Sequence, residues 1–171
     1  MRSQRLSIGA MSEKDETLYC ELFTDPVTMC HIGAPLTMEV AKRRFRGALT
    51  RARLDPPAGL LFSFADSATG RPIGIGALEN IDRVRSRAEV GIMLCPAWQG
   101  RGLGTEALRM LLKTAFVTLD IGEVWGQFDP SHVAVERMNT RAGMGQYGLC
   151  SDYGARPGMR IQRVTRVSLG M

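Results

Sequence analysis

The chain has 171 residues, of which 44% are apolar and 23% charged. This composition is typical of one soluble globular domain and excludes disordered and fibrous classes, so we expect a single domain over residues 1–171. The net charge of +5 suits an anionic ligand or nucleic acid and says nothing about the fold. No apolar run is long enough to span a bilayer, and the first 16 residues lack the apolar centre of a signal peptide.

The four cysteines lie far apart and show no metal-ligand spacing. This pattern argues against a metal site and favours reduced thiols in a cytoplasmic protein.

The first third of the chain predicts one strand and two helices. Residues 5–9 read as a short strand, and Ser12, with an acid three residues later, begins a helix. An Asp-Pro pair at 25–26 interrupts that helix. A second helix is expected from about Thr37, because apolar residues recur along one side of it, and the Asp-Pro-Pro sequence at 55–57 ends it.

The middle of the chain predicts three strands. Residues 59–66 and 72–81 form two apolar runs around a turn that contains Gly70, which indicates a hairpin. Residues 87–94 alternate, with apolar side chains at the even-numbered positions facing one way and Glu89 facing the other.

The rest of the chain predicts a helix from about Thr105, a strand over 123–128, a helix over 133–144 and a strand over 160–169. The full order is strand, two helices, three strands, helix, strand, helix, strand. A mixed α/β sheet with helices on both faces is the natural packing for this order.

A glycine-rich loop, QGRGLGT, joins the third of the middle strands to the next helix and runs from Gln99 to Thr105. Its spacing matches neither a dinucleotide fingerprint nor a P-loop. Glycine frees the backbone, so successive N–H groups can converge on an anion just before the N-terminus of a helix. We interpret the loop as a phosphate or pyrophosphate site, with Arg101 adding positive charge at its rim. The alternative is a tight turn whose glycines only allow strand and helix to pack.

The sequence CPAWQGRGLGTEAL resembles the acyl-CoA pyrophosphate loop of the GNAT N-acetyltransferases. The signature of that loop is Gln/Arg-x-x-Gly-x-Gly/Ala, which Gln99, Gly102 and Gly104 match in order. Residues 88–108 and 23–45 are also similar to the ribosomal-protein N-terminal (RimJ/RimL-like) branch of the superfamily. The resemblance covers most of the chain from Arg5 to Met144. It implies a mixed, mostly antiparallel twisted sheet with helices on both faces and a splayed acyl-CoA cleft.

The resemblance implies acetyl-CoA as co-substrate and no metal. Carried over by position, the main chain of Ile92, Met93 and Leu94 would bind the pantetheine arm. The pyrophosphate would be held by Gln99, Gly100, Arg101, Gly102, Leu103, Gly104 and Thr105.

Transfer of the acetyl group requires a proton acceptor for the amine, an oxyanion donor and a way to protonate the leaving thiolate. Glu89 is the candidate base, because it lies on the strand that would meet the cofactor and related enzymes often carry a glutamate there. The alternative is an exposed carboxylate paired with Arg87 or Arg85. The backbone N–H near Met93 is the candidate oxyanion donor.

The sequence departs from the family after the next strand. Relatives typically read Asn-Pro-x-Asn-x-x-Ser, or place a tyrosine one turn later. Here Asp129 and His132 stand at the asparagine positions, Val135 replaces the serine and Asn139 falls at the tyrosine position. The usual general acids are therefore missing, although a thiolate is a tolerable leaving group near neutral pH.

Two histidines are candidates for the remaining roles. His132 could contact the cofactor or supply a proton, although a surface histidine at a helix start is the commoner outcome. His31 lies in a segment that lines the acceptor site in relatives and is a substrate-side candidate, against the alternative of an incidental polar residue.

The segment 25–53 is rich in arginine and poor in acids. An acceptor with one primary amine on a neutral or anionic body therefore fits better than a polyamine or an aminoglycoside. Peptide N-termini, amino acid derivatives and amine-bearing antibiotics meet this description.

Two alternatives to an enzyme that uses acetyl-CoA and an amine acceptor stay open. One is an acyl-CoA-binding module that has lost catalysis, and the other is a basic nucleic-acid-binding protein. The second is less favoured, because no aromatic residues interleave with the arginines. Homodimers are common in the family, and no membrane partner is expected.

Overall fold

The computed structural model describes residue 3 and residues 5–170. Met1, Arg2, Gln4 and Met171, which the expected domain includes, lie outside the described residues. The strands are β1 (Leu6–Ala10), β2 (Leu60–Asp66), β3 (Pro72–Asp82), β4 (Arg87–Leu94), β5 (Glu123–Phe128), β6 (Gln146–Gly148) and β7 (Arg160–Thr165). The helices are α1 (Glu16–Thr24), α2 (Pro26–Met29), α3 (Met38–Ala52), α4 (Leu103–Lys113), α5 (Val133–Ala142) and α6 (Cys150–Tyr153).

The strands form one sheet in the order β1-β2-β3-β4-β5-β7-β6. All neighbours are antiparallel except β4 and β5, which are parallel. Within the described chain, β4 and β5 pair only at Arg87↔Glu123, Ala88↔Val124 and Glu89↔Trp125. Beyond Glu89 the two strands diverge. This geometry confirms the mixed, mostly antiparallel sheet and places a cleft in its centre.

Helices cover both faces of the sheet, as the element order predicts. On one face α4 buries its apolar side against the sheet, and Val90 and Ile92 of β4 pack against the same clusters. On the other face α1 and α3 form a cluster around Phe45, and Met93 packs against it. The alternation expected along β4 is therefore confirmed. It directs the Glu89 side of the strand toward α1 and α3.

Several boundaries differ from the predicted ones for local reasons. A single 3-10 turn precedes α1, and Asp25 caps the short α2 by accepting from the main-chain N–H of Thr28 at 2.9 Å. Helix α4 begins two residues before Thr105, because Gly102 adopts a left-handed φ of 77° and serves as its N-cap.

The C-terminal strand is shorter than expected, since β7 ends at Thr165 and a 3-10 turn follows it. Strand β6 and helix α6 were not predicted, because three and four residues are too few to show a periodic pattern. No helix in the described part of the chain is long and apolar enough to cross a membrane.

Candidate active site

Two connected cavities occupy the region where β4 and β5 diverge. The cavity of about 610 Å³, named the acceptor cavity after the ligand that the resemblance implies, lies between the sheet and the α1–α3 side of the molecule. The cavity of about 400 Å³, named the cofactor groove after the expected coenzyme A, runs along the end of β4 to the glycine loop. Ile92, Met93, His132, Val135 and Met138 line both, so a ligand in the groove can reach the cavity.

The glycine loop has the geometry of an anion site. Gly100 and Gly102 adopt left-handed φ values of 72° and 77°, which side chains strongly disfavour. No described side chain caps α4 at Gly102. The first N–H groups of an α-helix have no acceptor within the helix, so those of α4 are available to an anion and carry the positive end of the helix dipole.

Gly104 is a glycine for a different reason. A Cβ built there would lie 2.7 Å from the Sδ atom of Met138 on α5. Its φ is not in the left-handed region, so close packing of α4 against α5 accounts for this third glycine. The packing interpretation therefore applies to Gly104, and the anion interpretation rests on Gly100 and Gly102.

Two of the expected loop residues direct their side chains away from the groove. The Arg101 guanidinium lies over the Trp98 ring, 5.2 Å from its centroid, and Leu103 is buried in the core beneath α4. The Arg101 carbonyl accepts a hydrogen bond from Arg5 at 3.0 Å, and Arg5 also pairs with Glu106 at 2.7 Å. Arg5 thus links the loop to Glu106 of α4 by contacts that lie outside the groove. Arg101 and Leu103 can contribute their main chain to a ligand.

The main chain of β4 presents alternate residues to the cleft. The Cys95 N–H donates to Ile73 on the β3 side at 2.9 Å. Because antiparallel pairing alternates, Met93 also directs its main-chain groups toward β3, whereas Ile92 and Leu94 direct theirs toward the cleft. The Gln99 side chain already donates to the Leu94 carbonyl at 2.9 Å. This alternation indicates that the main-chain N–H of Ile92, rather than that of Met93, faces the cleft and is the candidate oxyanion donor.

Glu89 is held by two amides, one on each carboxylate oxygen. Asn80 Nδ2 donates to Oε2 at 2.7 Å, and Gln127 Nε2 donates to Oε1 at 2.8 Å. Asn80 lies at an irregularity in the β3–β4 pairing, with a left-handed φ of 48° that re-aims its side chain.

The alternative pairings of Glu89 with arginine do not occur. Arg85 pairs with Asp82 at 3.0 Å, and Arg87 lies over the Tyr153 ring, 5.0 Å from its centroid. The carboxylate therefore keeps lone pairs that can accept a proton.

A second carboxylate, Glu79, lies opposite Glu89 across the β3–β4 pair and also lines the acceptor cavity. Half of its side-chain surface is exposed. Even so, burial by the surrounding protein raises the pKa of Glu79, Glu89 raises it further, and Arg51, 3.7 Å away, opposes the rise. Glu79 was not predicted from the sequence, because only the register of the hairpin places it opposite the candidate base.

The two histidines meet at the junction of the cavities. Their rings stack with centroids 4.1 Å apart, although His31 comes from the α2–α3 loop and His132 from the start of α5. Burial lowers the pKa of His132, as does the charge of His31, while Asp129 opposes the shift. Neutral His132 is therefore favoured near pH 7.

The lowered pKa of His132 predicts a pH-dependent stability. In the unfolded chain this group takes up its proton near its ordinary value of 6.5, and in the folded protein only at lower pH. The free energy of unfolding therefore falls as the pH drops below 6.5. We expect His132→Gln to flatten this fall when urea midpoints at about pH 7.5 and about pH 5 are compared. A variant whose midpoint falls as steeply as that of the parent would contradict the assignment.

Four arginines line the two cavities, and of these Arg44 alone belongs to the arginine-rich segment 25–53 from which the acceptor was predicted. Arg44 and Arg156 border the acceptor cavity, and Arg137 and Arg141 border the cofactor groove. No ion pair joins any of them to a carboxylate among the described residues. Their charges are available to anionic ligands. The spacing of Arg137 and Arg141 places both on one side of α5, and this pattern could have indicated from the sequence that the two arginines lie together.

The described residues contain no group of three His, Cys, Asp or Glu side chains placed to hold a metal ion. All four cysteines are free thiols.

Comparison with known proteins shows the family to which the chain belongs. Residues 5–145 match the sequence profile of the acetyltransferase (GNAT) domain. The chain is 24% identical over 152 residues to the uncharacterized N-acetyltransferase p20 of Bacillus licheniformis, which covers 88% of this chain and 85% of that one.

Solved structures show the same fold. Spermidine N-acetyltransferase from Vibrio cholerae, in complex with CoA and spermine, has a TM-score of 0.78 and 14% identity over 99% of this chain and 100% of that one. The ribosomal L7/L12 α-N-protein acetyltransferase RimL, in complex with CoA, has a TM-score of 0.76 and 14% identity over 95% of each chain. The divergence of β4 from β5 and the glycine loop before α4 are thus found in a chain that matches the GNAT domain over most of its length. The protein therefore belongs to the GNAT acetyltransferase family and is an acetyltransferase.

Proposed function

We propose that the protein is a cytoplasmic, acetyl-CoA-dependent N-acetyltransferase of the RimJ/RimL-like type. Its acceptor is a primary amine on a peptide N-terminus or on a small metabolite or antibiotic. One observation carries this proposal. The cofactor groove leads from the uncapped N-terminus of α4 directly into a cavity that contains an amide-held carboxylate, Glu89.

The residues of the groove fit coenzyme A. The pyrophosphate matches the N–H groups around Gly102 at the start of α4. The open edge of β4 beyond Glu89 offers the main chain of Ile92 to the pantetheine amides. Acetyl-CoA, when bound, supplies an activated acetyl thioester.

We assign three roles to side and main chains of this protein. Glu89 accepts the proton of the attacking amine, directly or through water. The Ile92 N–H faces the cleft and stabilises the oxyanion. His132, which lines both cavities and is neutral near pH 7, can donate a ring N–H hydrogen bond to the thiolate, which then takes its proton from water.

The charges of the acceptor cavity favour an acceptor with a single amine. Glu89 and Glu79 are available to an ammonium group, whereas Arg44 and Arg156 would repel further positive charge and attract an anionic group. We therefore propose an acceptor with a neutral or anionic body. The spermine carried by the structural neighbour from Vibrio cholerae is a polycation and would be disfavoured here.

Calorimetric titration with acetyl-CoA tests the proposal, with adenosine diphosphate as the control ligand. We expect saturable binding at about micromolar strength. A panel of peptides, amino acid derivatives, antibiotics and polyamines, scored by thiol release, then identifies the acceptor class. If the folded protein binds no acetyl-CoA, the proposal is wrong.

Arg137 and Arg141 line the cofactor groove together with the glycine loop, and we assign them to the 3′-phosphate of coenzyme A. We expect the double variant Arg137→Gln/Arg141→Gln to bind CoA about tenfold more weakly, because charge-assisted hydrogen bonds to phosphate are lost. Binding of dephospho-CoA, measured in the same calorimeter, should change less. Equal losses for both ligands would show that these arginines do not contact the 3′-phosphate.

Val135 favours a second candidate, an acyl-CoA-binding module without catalysis. It lines both cavities and supplies no hydroxyl group to the leaving thiolate. Tight binding without turnover over the whole panel would support this function.

Nucleic-acid binding has less support than either acyl-CoA function. Arg46 and Arg53 of the basic α3 region pair with Glu16 and Glu13, which neutralises part of that face.

A further inference from the structure

Gln127 bridges the cleft at the point where main-chain pairing stops. Strands β4 and β5 last pair at Glu89↔Trp125. Side chains two residues apart on a strand share a face, so Gln127 lies on the same side as Trp125. From there its Nε2 donates to Glu89 Oε1 at 2.8 Å. This side-chain hydrogen bond continues the link between the strands after their backbones separate.

The orientation of the Gln127 amide is set by a second contact. Its Oε1 accepts from the main-chain N–H of Arg156 at 3.1 Å. An N–H group can only donate, so the carbonyl side of the amide must face Arg156 and the NH₂ side must face Glu89. The Arg156 guanidinium donates in turn to the Ile32 carbonyl at 2.8 Å, in the loop between α2 and α3. Gln127 is thus anchored to the segments that border the acceptor cavity.

We propose that Gln127 is a positioning residue for acetyl transfer. Its assigned role is to act through Glu89 and not on the amine itself. It holds one carboxylate oxygen of Glu89 while Asn80 holds the other at 2.7 Å. Two donors on opposite oxygens restrict rotation of the carboxylate and leave lone pairs for the acceptor proton. This inference rests on the proposed function, because it assigns Gln127 to the orientation of the proposed base.

A double-mutant cycle tests this role. Gln127→Met keeps the length of the side chain and removes its hydrogen-bonding groups. We expect it to lower kcat about tenfold with an unchanged Kd for acetyl-CoA. In a Glu89→Gln background the same substitution should change kcat by less than about twofold, and its effect on the urea midpoint should also shrink. Gln146→Met, on the exposed strand β6, is the matched control and should leave all values unchanged.

The outcomes separate the two proposals. An active parent in which the two losses simply add would overturn the role of Gln127 alone. Coupling in the urea midpoint without coupling in kcat would show that the contact serves stability only, which also overturns it. A parent that binds acetyl-CoA but acetylates no amine would overturn the proposed function and the role with it. Should Gln127→Met fail to fold, Gln127→Asn keeps the amide but cannot span to Glu89, and the same loss is expected.

Discussion

Glu89→Gln is expected to lower kcat by about 10²- to 10⁴-fold, the usual range when a general base is removed. The substitution keeps the size of the side chain and removes its ability to take a proton. Glu89 lines the acceptor cavity and is not among the residues that line the cofactor groove, so the Kd for acetyl-CoA should stay the same. Steady-state thiol release and calorimetry measure the two quantities.

Glu79→Gln is the matched control for this substitution. Glu79 lies opposite Glu89, lines the same cavity and also carries a carboxylate, but its charged neighbour is Arg51 at 3.7 Å. We expect kcat to fall by less than about tenfold in this variant, because no proton transfer is assigned to Glu79. Full activity of Glu89→Gln across the pH range, or equal losses in both variants, would show that the base is elsewhere.

Gly102→Val is expected to weaken acetyl-CoA binding about a hundredfold. A side chain at φ 77° costs about 1–2 kcal/mol, and relief of that strain would turn the loop N–H groups away from the phosphates. Loss of one or two charge-assisted hydrogen bonds, each worth about 1.5–3 kcal/mol, gives a change of that size. Calorimetry of the variant provides the measurement.

Gly70→Val is the control that separates the effect of backbone strain from the effect of lost acetyl-CoA binding. Gly70 has a similar φ of 72° in the β2–β3 turn, with open space around it, and lies outside both cavities. Both variants should lose a comparable amount of stability in urea, but only Gly102→Val should lose affinity. Similar affinities in the two variants would contradict the anion-site interpretation.

Gly104→Val is a less direct test of the same loop. Its Cβ would meet the Met138 sulfur at 2.7 Å, so lost affinity there could follow from displacement of α5. We expect Gly104→Val to lose both CoA binding and part of its stability. The comparison of Gly102→Val with Gly70→Val is therefore the direct test of phosphate binding by the glycine loop.

The amino-acid sequence was sufficient for the strand–loop–helix unit around Gln99 to Thr105 and for the family. The signals for this unit are local: alternation along β4, alternate glycines and an amphipathic α4. Hydrophobic periodicity and turn-forming residues involve only neighbours within a few positions. They can therefore be interpreted without knowledge of distant parts of the chain. The element order then restricted the packing to a mixed sheet with helices on both faces, which the structure confirms.

The surroundings of the candidate base depended on tertiary structure. Gln127 meets Glu89 across 38 positions of sequence, and only the divergence of β4 from β5 sets that distance. The stacking of His31 on His132 likewise brings together two loops that no local pattern connects. Side-chain partners at such separations follow from strand register and strand divergence. A shift of the register by one residue would move every side chain of the strand to the other face of the sheet. The chain therefore encodes its glycine loop locally, whereas the orientation of the proposed base and the charges that line the acceptor cavity arise only when the strands are assembled.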